Sequence, residues 1–331
     1  MTFAKTLSMV DDVFFGVPQG SVLGPILFIL YTSDVFRIIE KFGFKVHAFA
    51  DDIQIISNSS LFLFQNLVQR FLSCLSEIDG WMSSHRLKLN QCKTQLLPVG
   101  TWQQMSKLDI NSMHINGDVL EFCPSVTNLG FVLDTHLMMN KHISSLVCSC
   151  SFQLRRLRMV RRSLEKSTIE SLMHAFVNSR LDYCNSLFYL LSKKSIYKLQ
   201  SIQNRAAKIV EGGLKFNHVT PILRKLHWLP VDRRIVYKIP ILVFKCVNGV
   251  APEYLMNRCV PGNELPINYC FRSSESNLLP VPSARLLFGS KNFYVAGPMI
   301  WNSLPRSLRQ PGLKLIEFRR NMKTHLYDHE I

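Results

Sequence analysis

At 331 residues, 47% of them hydrophobic, the chain is long enough for two domains and too apolar to be disordered throughout. Its net charge is +16, and residues 1–100 hold eight basic and eight acidic side chains, so the whole excess lies after residue 100, a distribution that favours phosphate backbones. No apolar run reaches the ~18 residues of a membrane span, no secretory signal opens the chain, and the nine cysteines include no Cys-x₂-Cys pair. These features exclude a membrane protein, a disulfide scaffold and a visible zinc knuckle, and predict a non-secreted chain with reduced thiols, in the nucleus or cytoplasm.

In chain order, Gly16-Val17-Pro18-Gln19-Gly20-Ser21 runs into Gly24-Pro25 and reads as a Pro/Gly loop ahead of a helix from Pro25 to Ile39. Val46 to Ser57 reads as a β-hairpin. An apolar approach ending at Ala50 and an apolar exit through Ile53, Ile55 and Ile56 flank Asp51 and Asp52 at its tip. Phe64, Leu67, Val68, Phe71, Leu72, Leu75 and Ile78 recur at helical spacing and predict an amphipathic helix. Leu96 to Leu133 alternates polar and apolar residues with a turn mark at Asn116-Gly117, which predicts two or three short strands.

After about residue 140 the period becomes helical. Leu154, Leu157 and Leu164 form an apolar edge, while Arg155, Arg158 and Arg162 share another face. Ser167 with Glu170 reads as a capping box opening the next helix. From Lys194 to Val210, Ile196, Leu199, Ile202, Ala206 and Ile209 make a core stripe. Lys194, Lys198, Ser201, Arg205 and Lys208 make a second, basic stripe, and Gly212-Gly213 ends the helix. A basic face can be merely solvated; two of them without acidic partners one turn on favour phosphate contact. From about Pro221 recurrent prolines, Pro240 and Pro298 among them, cut the chain into short apolar pieces, with a last helix around Leu315 to Tyr327. Trp228, Trp301, Phe293 and Tyr294 read as buried anchors in preference to base-stacking residues.

Two carboxylates side by side at a strand turn disfavour each other unless a cation sits there. A hard divalent ion such as Mg²⁺ takes carboxylate and phosphate oxygens together, and paired ions about 3.5–4 Å apart carry in-line phosphoryl transfer. Residues 16–25, followed by Phe49-Ala50-Asp51-Asp52, closely resemble motifs B and C of reverse transcriptases, in the version found in non-LTR retrotransposons, the LINE-like elements of jockey and chicken-repeat type. Trp81 to Leu97, with Leu87-Lys88-Leu89-Asn90 and Lys93-Thr94, is similar to motif D. Here His85-Arg86 stand where relatives usually carry Gly, so a left-handed turn there is strained or rebuilt. Asn128 to Asp134 is similar to motif E. The chain from Lys141 onward resembles the thumb and C-terminal region, including Leu181-Asp182-Tyr183-Cys184-Asn185 and the stretch from Trp301 to Phe318.

The resemblance implies an α+β chain: a partial polymerase palm of antiparallel sheet and packed helices over 1–138, a helical thumb-like region over 139–215 and an irregular C-terminal region over 216–331. It implies Asp51 and Asp52 as catalytic metal ligands, Pro18, Gln19, Gly20, Ser21 and Lys93 at the nucleotide and template, and Leu129 and Gly130 gripping the primer. It sets Arg155, Arg158, Arg162, Lys194, Lys198, Arg205 and Lys208 on the nucleic-acid backbone. The implied cofactor is Mg²⁺, with Mn²⁺ as the alternative; the implied partners are an RNA template, a DNA primer and deoxynucleoside triphosphates, with no membrane. The family's third acidic ligand belongs to motif A, upstream of motif B. Only 15 residues precede Gly16, and Asp11 and Asp12 stand too close to motif B to take that role. The expectation is therefore an RNA-directed DNA polymerase fragment that does not polymerise alone, or alternatively a non-catalytic basic nucleic-acid-binding remnant.

Overall fold

A computed structural model describes residues 2–3, 6–7, 20–108, 110, 112–115, 118–212, 218–260, 277–284 and 287–328. Pro18, Gln19, Asn116, Gly117 and Gly213 lie outside the described residues. The chain divides into two compact units, residues 1–126 and 127–331. Helices mixed with two-stranded sheets make the chain α+β, as expected.

The first unit opens with a two-stranded antiparallel pair, β1 (Thr2–Phe3) and β2 (Thr6–Leu7). The single helix predicted from Pro25 to Ile39 is two helices, α1 (Gly24–Tyr31) and α2 (Ser33–Lys41). The break falls at Thr32, whose hydroxyl donates back to the Phe28 carbonyl at 2.9 Å, a contact that competes with helix continuation. Strands β3 (Lys45–Phe49) and β4 (Asp52–Ile56) form the predicted hairpin, and α3 (Phe64–Ser84) is the predicted amphipathic helix. A short α4 (Trp102–Met105) is opened by a capping box between Thr101 and Gln104, and β5 (Ser112–Ile115) pairs antiparallel with β6 (Asp118–Glu121). Val35 and Ile39 of α2, Val68, Leu75 and Ile78 of α3, Phe44 and Met113 of β5 form the core. Val46, Ile53 and Ile55 of the hairpin pack against it.

The hairpin β7 (Ser125–Asn128) and β8 (Phe131–Asp134) spans the junction and leads into α5 (Asn140–Val160). Then follow α6 (Lys166–Met173), a π-helical turn at His174–Asn178, α7 (Ser179–Asp182), α8 (Lys193–Glu211), α9 (Val219–Lys225) and α10 (Val231–Val247). One core cluster joins Phe131, Leu154, Leu157, Leu199, Ile202, Ala206 and Trp228. Leu199, Ile202 and Ala206 are the centre of the stripe predicted from sequence; Ile196 and Ile209 are only half-buried against the cluster, and Ala207 and Val210 join it instead. Gly212, at φ +70°, terminates α8 by donating to the Ile209 carbonyl. The predicted capping box at Ser167 does not form: α6 begins at Lys166, so Ser167 already lies inside it, and Glu165 takes the cap position without a side-chain bond.

Among the described residues α11 (Glu253–Met256), α12 (Leu287–Ser290), α13 (Phe293–Ser303), a 3₁₀ turn at Arg306–Leu308 and α14 (Leu315–Asp328) follow, the last matching the final helix expected. The prolines of this region predict breaks, yet Pro240 lies inside α10 and Pro298 inside α13. An internal proline forfeits one backbone bond at about 3 kcal/mol. Both helices offset that by burying most of their neighbouring side chains, Ile239, Ile241, Val243 and Phe244 in α10 and Val295, Ile300 and Trp301 in α13. Trp228 and Trp301 are each 2% exposed, so both are anchors.

Candidate active site and nucleic-acid interface

The register of the β3–β4 hairpin decides where its carboxylates go. Phe49 pairs with Asp52, leaving Ala50-Asp51 as a two-residue turn. Ala50 sits at φ +53°, the sign that matches a tight hairpin to the twist of its strands. Residues directly opposite share a face, so Val46, Ala48, Ile53 and Ile55 face one way, and Val46, Ile53 and Ile55 pack against the core. Lys45, His47, Phe49, Asp52, Gln54 and Ile56 share the other face. Asp52 thus stands on the open face, and Asp51 at the tip beside it; both are exposed. Phe49 is 66% and Ile56 46% exposed on that same face, a large apolar area for solvent to meet.

A second open surface adjoins the motif-B-like segment. Helix α1 buries none of its residues, and Val22, Leu23, Ile26, Leu27, Ile29, Leu30 and Tyr31 are all substantially exposed. Gly20, with a left-handed φ of +94°, and Ser21 immediately precede it; Pro18 and Gln19 lie outside the described residues. Lys93 is exposed at the end of a single 3₁₀ turn, Gln91–Lys93, where its amide donates to the Asn90 carbonyl. Between α3 and this turn, Arg86 takes φ +57°: the left-handed turn that a glycine would make without steric cost is kept by an arginine.

Two hard carboxylate oxygen donors at an open tip suit Mg²⁺ or Mn²⁺. Among the described residues they join no group of three His, Cys, Asp or Glu placed to bind a metal.

The second hairpin has an ordered support. Its turn residues Leu129 (φ +46°) and Gly130 (φ +79°) are both left-handed, the pattern of a type I′ turn. The Tyr183 hydroxyl donates to the Leu129 carbonyl. His142 stacks on Phe131 with ring centroids 4.0 Å apart, and its Nδ1 accepts from the Val132 amide at 3.2 Å. Burial holds the His142 pKa below its usual value, which agrees with a neutral, accepting ring. Asp134, closing β8, accepts from the amides of His136, Met138 and Met139 and so fixes the entry to α5.

Tyr183 belongs to the Leu181-to-Asn185 run, and the structure supplies a role for its neighbours too. Asp182 pairs with Arg234 of α10 at 3.1 Å, Asn185 donates to Asp182, and Arg234 donates to Asn178. The run stands out in the sequence by its resemblance to the family's C-terminal region; these contacts follow only from the fold.

The basic residues divide by environment. Arg155, Arg158 and Arg162 are exposed on and just beyond α5, as are Lys194 and Lys198 on α8, and none of the five enters an ion pair among the described residues. Arg205 is exposed and donates to Ser151 at 3.2 Å; Lys208 is half-buried. Arg161, not singled out from sequence, is different: it donates to the carbonyls of Ile209 and Val210 and caps α8 from outside. No helix among the described residues is long and apolar enough to cross a membrane.

Residues 10–133 match the family of reverse transcriptases (RNA-dependent DNA polymerases). The chain is 23% identical over 228 residues to the probable RNA-directed DNA polymerase from transposon BS of Drosophila melanogaster, covering 66% of this chain and 25% of that protein. It is 23% identical over 207 residues to the RNA-directed DNA polymerase from mobile element jockey of Drosophila funebris, 60% of this chain and 22% of the relative. Against the probable RNA-directed DNA polymerase from transposon X-element of Drosophila melanogaster it is 24% identical over 230 residues, 68% and 25%. The chain therefore spans about a quarter of the length of these relatives. No solved structure matches it.

Proposed function

We propose, for a chain that belongs to the LINE-like reverse transcriptases, that it is the part of an RNA-directed DNA polymerase running from mid-palm through thumb. The single observation that carries this reading is the adjacent pair Asp51, in a two-residue hairpin turn, and Asp52, which opens the strand after it, inside the segment matched to the family. In that reading residues up to about 138 are palm, 139–215 are thumb, and 216–331 form a C-terminal region.

Asp51 and Asp52 would hold Mg²⁺, or Mn²⁺, through their carboxylate oxygens. Bound there, the ion supplies positive charge against the triphosphate oxygens and the leaving pyrophosphate. The chain's own residues do the positioning. The turn fixes two carboxylates on adjacent residues, one at the tip and one on the open face. Gln19, Gly20 and Ser21, with Pro18, would line the nucleotide and template, and Lys93 would meet phosphate. Leu129 and Gly130 would grip the primer end, held in place by Tyr183 and His142. Arg155, Arg158, Arg162, Lys194, Lys198, Arg205 and Lys208 would follow the backbone of an RNA–DNA duplex by charge alone.

The catalytic set is incomplete within the described residues, and α1 and the open hairpin face both offer apolar surface to a covering element. The isolated chain is accordingly inactive in this account. Incubation with an RNA template, a DNA primer, deoxynucleoside triphosphates and Mg²⁺ should give no extension; sustained Mg²⁺-dependent extension would contradict the incompleteness.

A second reading is favoured by the five exposed basic side chains of α5, α8 and the turn after α5 that enter no ion pair among the described residues: a non-catalytic nucleic-acid-binding remnant. It predicts salt-sensitive RNA or DNA binding that is unchanged when Asp51 and Asp52 are both replaced by Ala.

A further inference from the structure

The second unit holds a groove of about 540 Å³ for which the polymerase reading has no use. It lies between α8, the start of α9 and the start of α10, and its floor is apolar: Leu191, Ile196, Val219 and Leu223. Tyr197 lines it and is 74% exposed, an aromatic ring set within the run Lys193, Lys194, Lys198. An exposed tyrosine on a lysine-rich helical face buries too little to be explained by packing. It does suit a flat ligand that carries negative charge.

The polar groups of the groove are pre-oriented. Buried Gln203 donates to the Leu229 carbonyl at 2.8 Å and accepts from Gln200 at 3.0 Å. Gln200 Oε1 accepts the Val231 amide at 2.8 Å, and its Nε2 also donates to Asn204 Oδ1 at 2.7 Å. This chain of amides occupies the Asn204 carbonyl oxygen. The Asn204 NH₂ makes no hydrogen bond among the described residues and remains a fixed donor in the lining of an apolar cavity. Asp232, also in the lining, adds an acceptor, and Lys193 adds a cation.

An apolar protein side chain would use the apolar lining, leave the half-buried Asn204 donor without a partner and make no use of the exposed Asp232 acceptor. A nucleobase uses all of it: an apolar face for the ring of Tyr197, an edge with acceptors and amino donors for Asn204 and Asp232, and flanking phosphates for the lysines. We propose that this groove is a subsite for one unpaired nucleobase of single-stranded nucleic acid, stacked on Tyr197, its edge read by Asn204 and Asp232 and its flanking phosphates held by Lys193, Lys194 and Lys198. The proposal rests on the reading that this unit binds nucleic acid and adds to it a base-dependent component.

The test is fluorescence anisotropy on the full chain at about 100 mM salt, with three labelled probes about 12 nucleotides long: oligothymidine, an abasic strand of the same phosphate count, and an RNA–DNA duplex. Oligothymidine should bind about tenfold more tightly than the abasic strand, the range a single stacked base supplies. Tyr197→Ala should abolish that preference and leave abasic and duplex affinities unchanged; Tyr197→Phe should keep it. The high exposure of Tyr197 means that the variant folds, which an unchanged circular dichroism melt verifies. Equal binding of oligothymidine and abasic strand by the wild type, or a preference that survives Tyr197→Ala, overturns the subsite while leaving backbone binding standing. Failure of every probe at low salt overturns the nucleic-acid reading itself. Binding of 8-anilinonaphthalene-1-sulfonate lost in Tyr197→Ala, with no base preference in the wild type, assigns the groove to an apolar protein segment and also overturns the proposal.

Discussion

Removal of Arg234 should damage the second unit far more than removal of the carboxylate it meets. The Arg234 and Asp182 side chains are 16% and 33% exposed and lie 3.1 Å apart. Burial pushes the Asp182 carboxyl up from its ordinary 3.8, and Arg234 is the largest influence holding it down, ahead of Lys238 and His174. Arg234→Met leaves the carboxylate in a poorly solvated site without its main partner. Breaking a fully buried pair costs about 3–5 kcal/mol; with a third of Asp182 open to water, about 2 kcal/mol is the appropriate scale. Asp182→Asn removes the charge that burial disfavours and keeps an acceptor for Asn185 and for the Arg234 guanidinium, which also retains Asn178, so it should cost less than Arg234→Met, about 1 kcal/mol.

The pH dependence has a definite sign. Because the folded carboxyl is raised, the folded chain holds that proton more tightly than the unfolded chain, and ionising Asp182 costs stability. The cost is absent below 3.8 and complete above the raised folded value, so the Arg234→Met penalty should be largest at neutrality and shrink on acidification to about pH 4. Urea unfolding of wild type, Arg234→Met, Asp182→Asn and the double variant, followed by the buried Trp228 in the same core, reads all four. A penalty for Asp182→Asn equal to that for Arg234→Met, or one for Arg234→Met that is flat with pH, would refute the reasoning.

Other consequences can be checked alongside. Arg86→Gly should stabilise the first unit relative to Arg86→Ala by about 1 kcal/mol in urea unfolding, because only glycine relieves a φ of +57°; Ala equal to Gly would contradict the left-handed assignment. Burial lowers the His142 pKa, so the stability linked to its neutral ring is complete above 6.5 and is lost as pH falls through the folded value. His142→Gln should flatten the pH dependence of the unfolding midpoint between about pH 7 and 5, and an unaltered profile would show that His142 does not titrate with folding. Replacing Arg155, Arg158 and Arg162 together by Gln should lower the slope of log affinity against log salt by about 2 to 3 on an RNA–DNA duplex; an unchanged slope would remove this face from the interface.

The hairpin and α3 are legible in the sequence because alternation and 3.6-residue periodicity report which face is buried, and here the buried face is the one in contact with the core. The break at Thr32 is not, since a hydroxyl bonding back to Phe28 leaves no mark on apolar spacing. Pro240 and Pro298 mislead for a related reason: their local cost is visible in sequence, while the burial that offsets it depends on elements far along the chain. Ser167 and Glu170 have the capping spacing, but the helix starts ahead of them.

For the candidate site, the carboxylates and exposed arginines follow from motif and charge pattern. The supports of the second hairpin do not, because Tyr183 reaches Leu129 across 54 residues and His142 meets Phe131 only once the chain has folded. The Arg86 departure is the reverse case: a missing glycine in the sequence predicts strain, and the backbone carries it.

The most direct test joins this chain to an upstream segment that supplies a further acidic strand and measures Mg²⁺-dependent nucleotide incorporation on an RNA template with a DNA primer. The account predicts extension by the joined protein, none by the chain alone, and a fall to background when Asp51 is replaced by Ala. Extension that persists in the Asp51→Ala protein would contradict the assignment of the hairpin tip as the metal-binding centre.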